Sequence, residues 1–162
     1  MEERSANIRI RRAMPDQAGV LSKITVRAKA SWGYPATWID NWREELTITR
    51  EYIETYDVFV AEFKRRLAGL VSIEITSPIA EIGNLWVDPE YHGHGIGRQL
   101  VQHCIDYARH NRLDALLVES DPNALGFYQR VGGVHVESRP APLPGMPERT
   151  LPVLRFELEP FA

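Results

Sequence analysis

Residues 85–100 read L-W-V-D-P-E-Y-H-G-H-G-I-G-R-Q-L. Three glycines stand at alternate positions in this stretch: Gly93, Gly95 and Gly97. The preceding run, residues 80–87, is typical of a strand, and residues 95–111 carry apolar side chains at helical spacing. A short apolar run at residues 115–119 predicts a second, buried strand. Strand, glycine turn, helix and strand together predict a βαβ unit with parallel strands and a right-handed crossover.

The remaining patterns extend this unit to a mixed α/β sheet with helices on both faces. Alternating or continuous apolar runs predict further strands at residues 7–12, 58–62, 67–75, 134–137 and 153–158. Start signals predict helices after Pro15, at residues 50–56 behind a Thr49 cap, and at residues 123–131. Four residues of the first helix are expected to face the core: Val20, Leu21, Ile24 and Ala28. Five prolines between Pro140 and Pro152 predict an irregular surface loop.

Composition sets limits on the class of protein. The chain has 162 residues, 44% hydrophobic and 25% charged, so we expect one globular domain spanning residues 1–162. The lone Cys104 excludes an internal disulfide, and its place on an apolar helix stripe indicates a packed thiol. A net charge of −3 disfavours a bulk electrostatic grip on nucleic acid or anionic lipid. The chain lacks a membrane-length apolar run and its start is charged, which predicts a cytoplasmic protein.

The glycine stretch predicts an anion site. Alternate glycines let successive backbone N–H groups face one concavity, and the following helix adds unpaired N–H groups and the positive end of its dipole. Such a place binds phosphate or pyrophosphate. A dinucleotide fingerprint fails because Arg98 stands where a glycine is needed, and a Walker A loop fails because G-K-[ST] is missing. His92 and His94 lack a second pair of metal ligands at matching spacing, so we expect no metal.

Two other stretches carry candidate functional residues. Residues 120–133 read S-D-P-N-A-L-G-F-Y-Q-R-V-G-G and open a helix just after a predicted strand. Because ligands bind outside the carboxyl ends of strands in open α/β sheets, this stretch and the glycine stretch should converge. Residues 31–42 read S-W-G-Y-P-A-T-W-I-D-N-W and hold three of the four tryptophans. Those aromatics either anchor a loop to the core or line a substrate pocket, and three are candidates for the latter: Trp32, Tyr34 and Trp38.

The two glycine-bearing motifs resemble those of the GCN5-related N-acetyltransferase (GNAT) superfamily. Residues 85–100 are similar to its acyl-coenzyme A signature, usually Q/R-x-x-G-x-G/A, with Gly95 and Gly97 in the small positions and His92 replacing Gln or Arg. Residues 120–133 are similar to its N-x-x-A-x-x-F-Y motif, with Asp121 at the Asn position. The resemblance implies a GNAT-like acyl-CoA N-acyltransferase fold, and transfer of an acetyl group from acetyl-coenzyme A to an amine of a small molecule or protein within a ternary complex.

The resemblance also implies cofactor contacts. Backbone groups of Leu85 and Val87, at the end of the central strand, would hold the pantetheine arm, and Trp86 between them is a further cofactor-binding residue. Seven would hold the pyrophosphate: His92, Gly93, His94, Gly95, Ile96, Gly97 and Arg98. Three would lie beside the cysteamine end: Asn123, Phe127 and Tyr128.

The resemblance makes Tyr128 the general acid for the departing thiolate, a role that an unperturbed pKa near 10 suits. Glu81 is the candidate base, because some superfamily members carry a catalytic Glu there, but an ion pair with Lys or Arg is an equal alternative. Glu74 and Glu119 are fallback carboxylates, and a water chain needs no dedicated base.

Some questions stay open at this level. A non-catalytic acyl-coenzyme A binding or protein-interaction module is the alternative function. The acceptor amine is unidentified, and its determinants are expected in residues 31–42 and 139–150. Exposed aromatics and strand ends are compatible with a homodimer.

Overall fold

The computed structural model describes residues 7–158, which form seven strands and six helices. The strands are β1 Ile8–Arg12, β2 Asp57–Phe63, β3 Arg66–Thr76, β4 Ile79–Val87, β5 Ala115–Glu119, β6 Val134–Pro140 and β7 Thr150–Glu157. The helices are α1 Ala18–Ala30, α2 Ala36–Asn41, α3 Arg43–Leu46, α4 Arg50–Thr55, α5 Ile96–His110 and α6 Leu125–Arg130. Single 3₁₀ turns precede α1, α5 and α6, at Pro15–Gln17, Pro89–Tyr91 and Pro122–Ala124 respectively.

The strands lie in one mixed sheet in the order β1-β2-β3-β4-β5-β7-β6, flanked by helices. The mixed α/β class expected from the sequence is therefore confirmed. By its contacts the chain divides into two compact units, which share β3, β4 and α5. The first unit contains the residues up to Ile73 and residues 84–103, and the second contains residues 74–83 and those from Cys104 onward. The single domain expected over residues 1–162 stays a prediction.

The first unit is built on an antiparallel sheet. Strand β2 pairs with β1 on one side and β3 on the other, and the β2–β3 turn is made by Lys64 and Arg65, both at positive φ. Two residues at positive φ match the right-handed twist of the flanking strands. Helix α1 packs on this sheet through a buried cluster: Leu21, Ile24, Val58, Val60 and Leu70.

The prediction that Val20 of α1 faces the core is wrong. Val20 is 48% exposed, whereas Thr25 is fully buried. Thr25 is tolerated in the core because the single O–H of its side chain lies within hydrogen-bond distance of two carbonyl acceptors, those of Ser22 and Leu46. The capping prediction for α4 is confirmed, since the Thr49 hydroxyl accepts the Tyr52 N–H at 2.9 Å.

The second unit contains the predicted parallel pair. Strand β4 pairs with β5 in parallel, with Ile79 opposite Ala115, and β7 lies between β5 and β6, antiparallel to both. The predicted proline loop is shorter than expected, because Pro140 ends β6 and Pro152 lies inside β7. Pro152 lacks an N–H but its carbonyl accepts the Ser120 N–H at 2.8 Å, so it fits where only an acceptor is needed.

None of the helices within residues 7–158 combines the length and apolar character that a membrane crossing requires. The first half of the charged start, residues 1–6, lies outside the described part of the chain.

Candidate functional site

The glycine loop, residues 92–98, is the last part of the connection from β4 together with the first turn of α5. Gly93 and Gly95 have φ of +84° and +81°, a backbone conformation that residues other than glycine rarely adopt. Apart from the glycine itself and its two chain neighbours, no atom of residues 7–158 lies within 4 Å of the position that a Cβ would occupy at either glycine. The loop thus presents bare backbone to open space beside the N-terminus of a 15-residue helix. Backbone N–H groups and a helix dipole in this arrangement suit a phosphate.

Asp88 fixes the start of this connection. The residue is 5% exposed, and its carboxylate accepts hydrogen bonds from the Glu90 N–H and from the Arg27 guanidinium of α1. Its own N–H donates to the Ala68 carbonyl of β3 at 2.7 Å. The end of β4 is therefore tied both to the neighbouring strand and to a helix.

The two histidines of the glycine loop turn toward the rest of the first unit. His92 is exposed, and its Nε2 lies 3.3 Å from the Val87 carbonyl oxygen. The ring of His94 packs against Phe63 with centroids 4.5 Å apart. Ile96 is buried in the first turn of α5, whereas Arg98 is exposed.

The last residues of β4, Leu85 to Val87, are half-buried. Trp86 is held by its indole N–H, which donates to the Asn84 side-chain oxygen at 3.0 Å, and the Asn84 amide donates to the Tyr52 hydroxyl at 3.1 Å. The Trp86 ring also lies 6.0 Å from that of Trp32. This polar and aromatic network links the strand to α4 and to the end of α1.

The aromatic segment forms one cluster. Tyr34 lies 6.0 Å from Trp38 and 5.0 Å from Trp42 between ring centroids, and Trp38 lies 6.1 Å from Trp42. The Lys29 ammonium lies over three of the rings, at 5.7 Å from Trp32, 5.0 Å from Tyr34 and 4.3 Å from Trp42. The sequence-based candidates omit Trp42, although its spacing of four from Trp38 indicates neighbouring positions on a helical turn.

In the second unit, the stretch after β5 forms a capped turn. The Asp121 carboxylate accepts the Asn123 N–H at 2.8 Å and its side-chain amide at 3.0 Å, so Asp121 caps the turn that begins at Pro122. Tyr128 is 5% exposed and packs between Phe127 and Phe156, at 5.2 and 6.4 Å between ring centroids.

Burial changes the acid chemistry expected of Tyr128. Burial, with smaller contributions that include the Asp121 charge, raises the pKa of its phenol well above the ordinary value. The general-acid role of Tyr128 stays a prediction. The phenol keeps its proton throughout the neutral range.

Glu81 lies in an ion-pair cluster of the second unit. One nitrogen of Arg139 lies 3.1 Å from the Glu81 carboxylate and 3.2 Å from that of Glu119, and another lies 3.2 Å from Glu137. This is the ion-pair alternative left open by the sequence, with a partner 58 residues away. The pKa of Glu74 is raised, first by burial and then by the Glu81 charge.

The lone thiol behaves as the sequence predicts. Cys104 is fully buried on α5, and burial raises its pKa well above the ordinary value. A buried thiol that stays protonated contributes to core packing and does not act as a nucleophile.

Comparison with known proteins identifies the family. A family model described as the acetyltransferase (GNAT) family matches residues 25–133, more than half of the chain. An uncharacterized N-acetyltransferase of Methanocaldococcus jannaschii is 33% identical over 84 residues, covering 46% of this chain and 37% of its own length. The chain spans about a third of the length of the curated relatives it matches.

Two solved structures share the fold. The PaiA N-acetyltransferase of Thermoplasma acidophilum, in complex with coenzyme A, has a TM-score of 0.75 at 16% identity, covering 93% of this chain and 98% of its own. The yncA protein of Salmonella typhimurium, solved with acetyl-coenzyme A, has a TM-score of 0.67 at 20% identity, covering 96% of each chain. With the family model matching across both sequence motifs, the chain belongs to the acetyltransferase (GNAT) family.

Proposed function

We propose that the protein transfers an acetyl group from acetyl-coenzyme A to an amine by direct attack within a ternary complex. The observation that carries this proposal is the glycine loop, whose two glycines at positive φ leave open space beside a helix N-terminus. Family membership supports acyl transfer, and the coenzyme A and acetyl-coenzyme A complexes of the two solved structures support the choice of cosubstrate.

In this proposal the cofactor is held mainly by backbone. The N–H groups of residues 92–98 bind the pyrophosphate, and the main chain of Leu85 and Val87 binds the pantetheine arm. His92 stands where the family usually has Gln or Arg. Its Nε2 lies near the Val87 carbonyl oxygen, so the exposed ring lies beside the strand that is proposed to bind pantetheine.

The chemical step joins the amine nitrogen to the thioester carbon and breaks the carbon–sulfur bond. The amine arrives as an ammonium and must lose one proton before attack. A second proton leaves the nitrogen as the tetrahedral intermediate collapses, and the departing thiolate takes up one proton, so one proton is released overall. Tyr128 is the proposed donor to the sulfur, with Asn123 and Phe127 beside it. Because burial raises its pKa, the phenol holds its proton until the thiolate forms, and a hydrogen bond to the sulfur is favoured over early transfer.

The base is either a carboxylate of the second unit or a water chain. One Glu81 carboxylate oxygen already accepts a hydrogen bond from Arg139 at 3.1 Å. Glu74 has a raised pKa, which favours proton uptake by its carboxylate. Trp32, Tyr34 and Trp38 are the proposed acceptor contacts.

The test measures coenzyme A release from acetyl-coenzyme A in the presence of an amine panel, together with coenzyme A binding. Gly95→Glu should abolish binding, because it strains a positive φ and places a carboxylate where phosphate is expected. Gly145→Glu is the matched control, since Gly145 has φ +80° and the same open surroundings but lies outside the glycine loop. Equal coenzyme A affinity in the two variants would refute the loop assignment.

Turnover separates an enzyme from a binding module. Tyr128→Phe should reduce turnover by a large factor, about 100-fold or more for loss of a general acid, and leave coenzyme A affinity nearly unchanged. Unchanged turnover would remove Tyr128 from the mechanism. Tight coenzyme A binding with no release across the amine panel would favour the non-catalytic module.

A further inference from the structure

The segment that follows α1 builds a box of aromatic rings around a positive charge. The Lys29 ammonium lies over the rings of Trp32, Tyr34 and Trp42, at 4.3 to 5.7 Å from their centroids. Ring faces carry the negative part of the aromatic quadrupole, so a cation within about 6 Å of several faces is attracted to each. In this structure the box therefore already holds an alkylammonium group.

The box is open rather than buried. Lys29 and the three rings are all only half-buried. Gly33, which lies between Trp32 and Tyr34, has φ of +81° and open space at the position of a Cβ. The lysine ammonium sits on a flexible four-carbon stem, so it can leave the box without any movement of the backbone. A second ammonium at the same point would meet the same three ring faces.

The box also borders the strand proposed to carry the acyl arm. Trp32 lies 6.0 Å from Trp86 between ring centroids, and Trp86 stands between the two residues proposed to bind pantetheine through their main chain. A ligand group in the box would thus lie beside the proposed path of the cosubstrate within the first unit.

From this arrangement we infer that the box of Trp32, Tyr34 and Trp42 binds an ammonium group of the acceptor, with Lys29 as its exchangeable occupant in the free protein. This inference rests on the proposed function. The aromatic faces favour a charged nitrogen, whereas the attacking nitrogen must be neutral. The box therefore holds a nitrogen that does not react, and the acceptor is an alkylamine with at least two basic nitrogens.

The first experiment titrates the protein with tetramethylammonium chloride at constant ionic strength and follows tryptophan fluorescence. Lys29→Ala vacates the box and should bind this probe about tenfold more tightly than the wild type. Lys23→Ala is the matched control, because it removes the same charge from an exposed position of the same helix. Adding Trp42→Leu to Lys29→Ala should abolish the gain. Equal affinities in the two single lysine variants would overturn the inference.

The second experiment compares acetylation of a linear diamine with that of the monoamine of equal chain length. The wild type should prefer the diamine by about tenfold in kcat/KM, mostly through KM, and Lys29→Ala should increase that preference. Trp42→Leu should remove it. An unchanged preference in Trp42→Leu would overturn the inference even if Lys29→Ala failed to fold. Failure to acetylate any amine would refute the proposed function. The fluorescence titration needs no turnover, so it would still show whether the box binds an ammonium group.

Discussion

Gly69 lies in β3 where β4 passes closest to it, and replacing it with alanine tests the packing behind the glycine loop. A Cβ at this position would lie 2.8 Å from the Trp86 carbonyl oxygen and 3.4 Å from both Ile96 and Leu100 of α5. A Cβ contact below 3.0 Å is essentially never seen, and the atom it meets is backbone. Strand β4 must therefore move away from β3 by several tenths of an ångström.

That movement is opposed by the hydrogen bond next to it. The Asp88 N–H donates to the Ala68 carbonyl at 2.7 Å, so β4 cannot withdraw without lengthening a bond that fixes its end. Overpacking of this kind costs about 1–3 kcal/mol. Removing a glycine from a strand interior returns about 0.5–1 kcal/mol of backbone entropy. We expect a net loss of roughly 1–2 kcal/mol in the free energy of unfolding, a large part of the 5–15 kcal/mol typical of a domain.

Urea unfolding of Gly69→Ala and Gly19→Ala measures this difference directly. Gly19 lies in the first turn of α1 with no atom within 4 Å of its Cβ position, so alanine there should stabilise the protein by about 0.5–1 kcal/mol. Coenzyme A affinity should fall in Gly69→Ala, because the Trp86 carbonyl belongs to the proposed pantetheine strand, and should be unchanged in Gly19→Ala. If Gly69→Ala and Gly19→Ala have the same free energy of unfolding, β3 and β4 do not approach each other as closely as the structure indicates.

Three further predictions follow from the polar groups. Asp88→Ala should lower the free energy of unfolding by about 1.5–3 kcal/mol by removing hydrogen bonds to a buried carboxylate, including that from Arg27, and urea titration measures the loss. Tyr128→Phe should make stability fall less steeply above about pH 10, because a phenol whose native pKa is raised favours unfolding once it ionises in the unfolded chain; urea unfolding across this pH range measures the slope, and an unchanged slope would contradict the burial of the phenol. Arg139→Gln should lower the melting temperature more at low than at high salt, because it leaves three carboxylates unneutralised, and equal losses at both would contradict that.

The sequence predicts well those features that depend on local pattern. The strand before the glycine loop, the helix after it and the parallel strand beyond are each marked by periodicity, and Gly93 and Gly95 stand where the backbone needs positive φ. The βαβ rule then supplies the parallel pairing of β4 with β5 without any knowledge of contacts.

Features that depend on distant residues are the ones the sequence misses. Val20 fits an apolar stripe, but the core takes Thr25 instead because the Leu46 carbonyl offers its hydroxyl a partner. Whether Glu81 is paired depends on Arg139, which no local pattern connects to it. Likewise, part of the packing around Tyr128 comes from Phe156 of β7, 28 residues further along the chain, which its own motif does not indicate.

The place of β7 between β5 and β6 has a consequence for synthesis. A ribosome releases β5 and β6 before β7, yet in the second unit both of those strands pair with β7. Until β7 emerges, each of them has an edge with no partner from this region, and such edges invite association with other chains. We therefore expect nascent chains stalled before Thr150 to depend on chaperones, and the second unit to close in a late step after translation has passed Glu157.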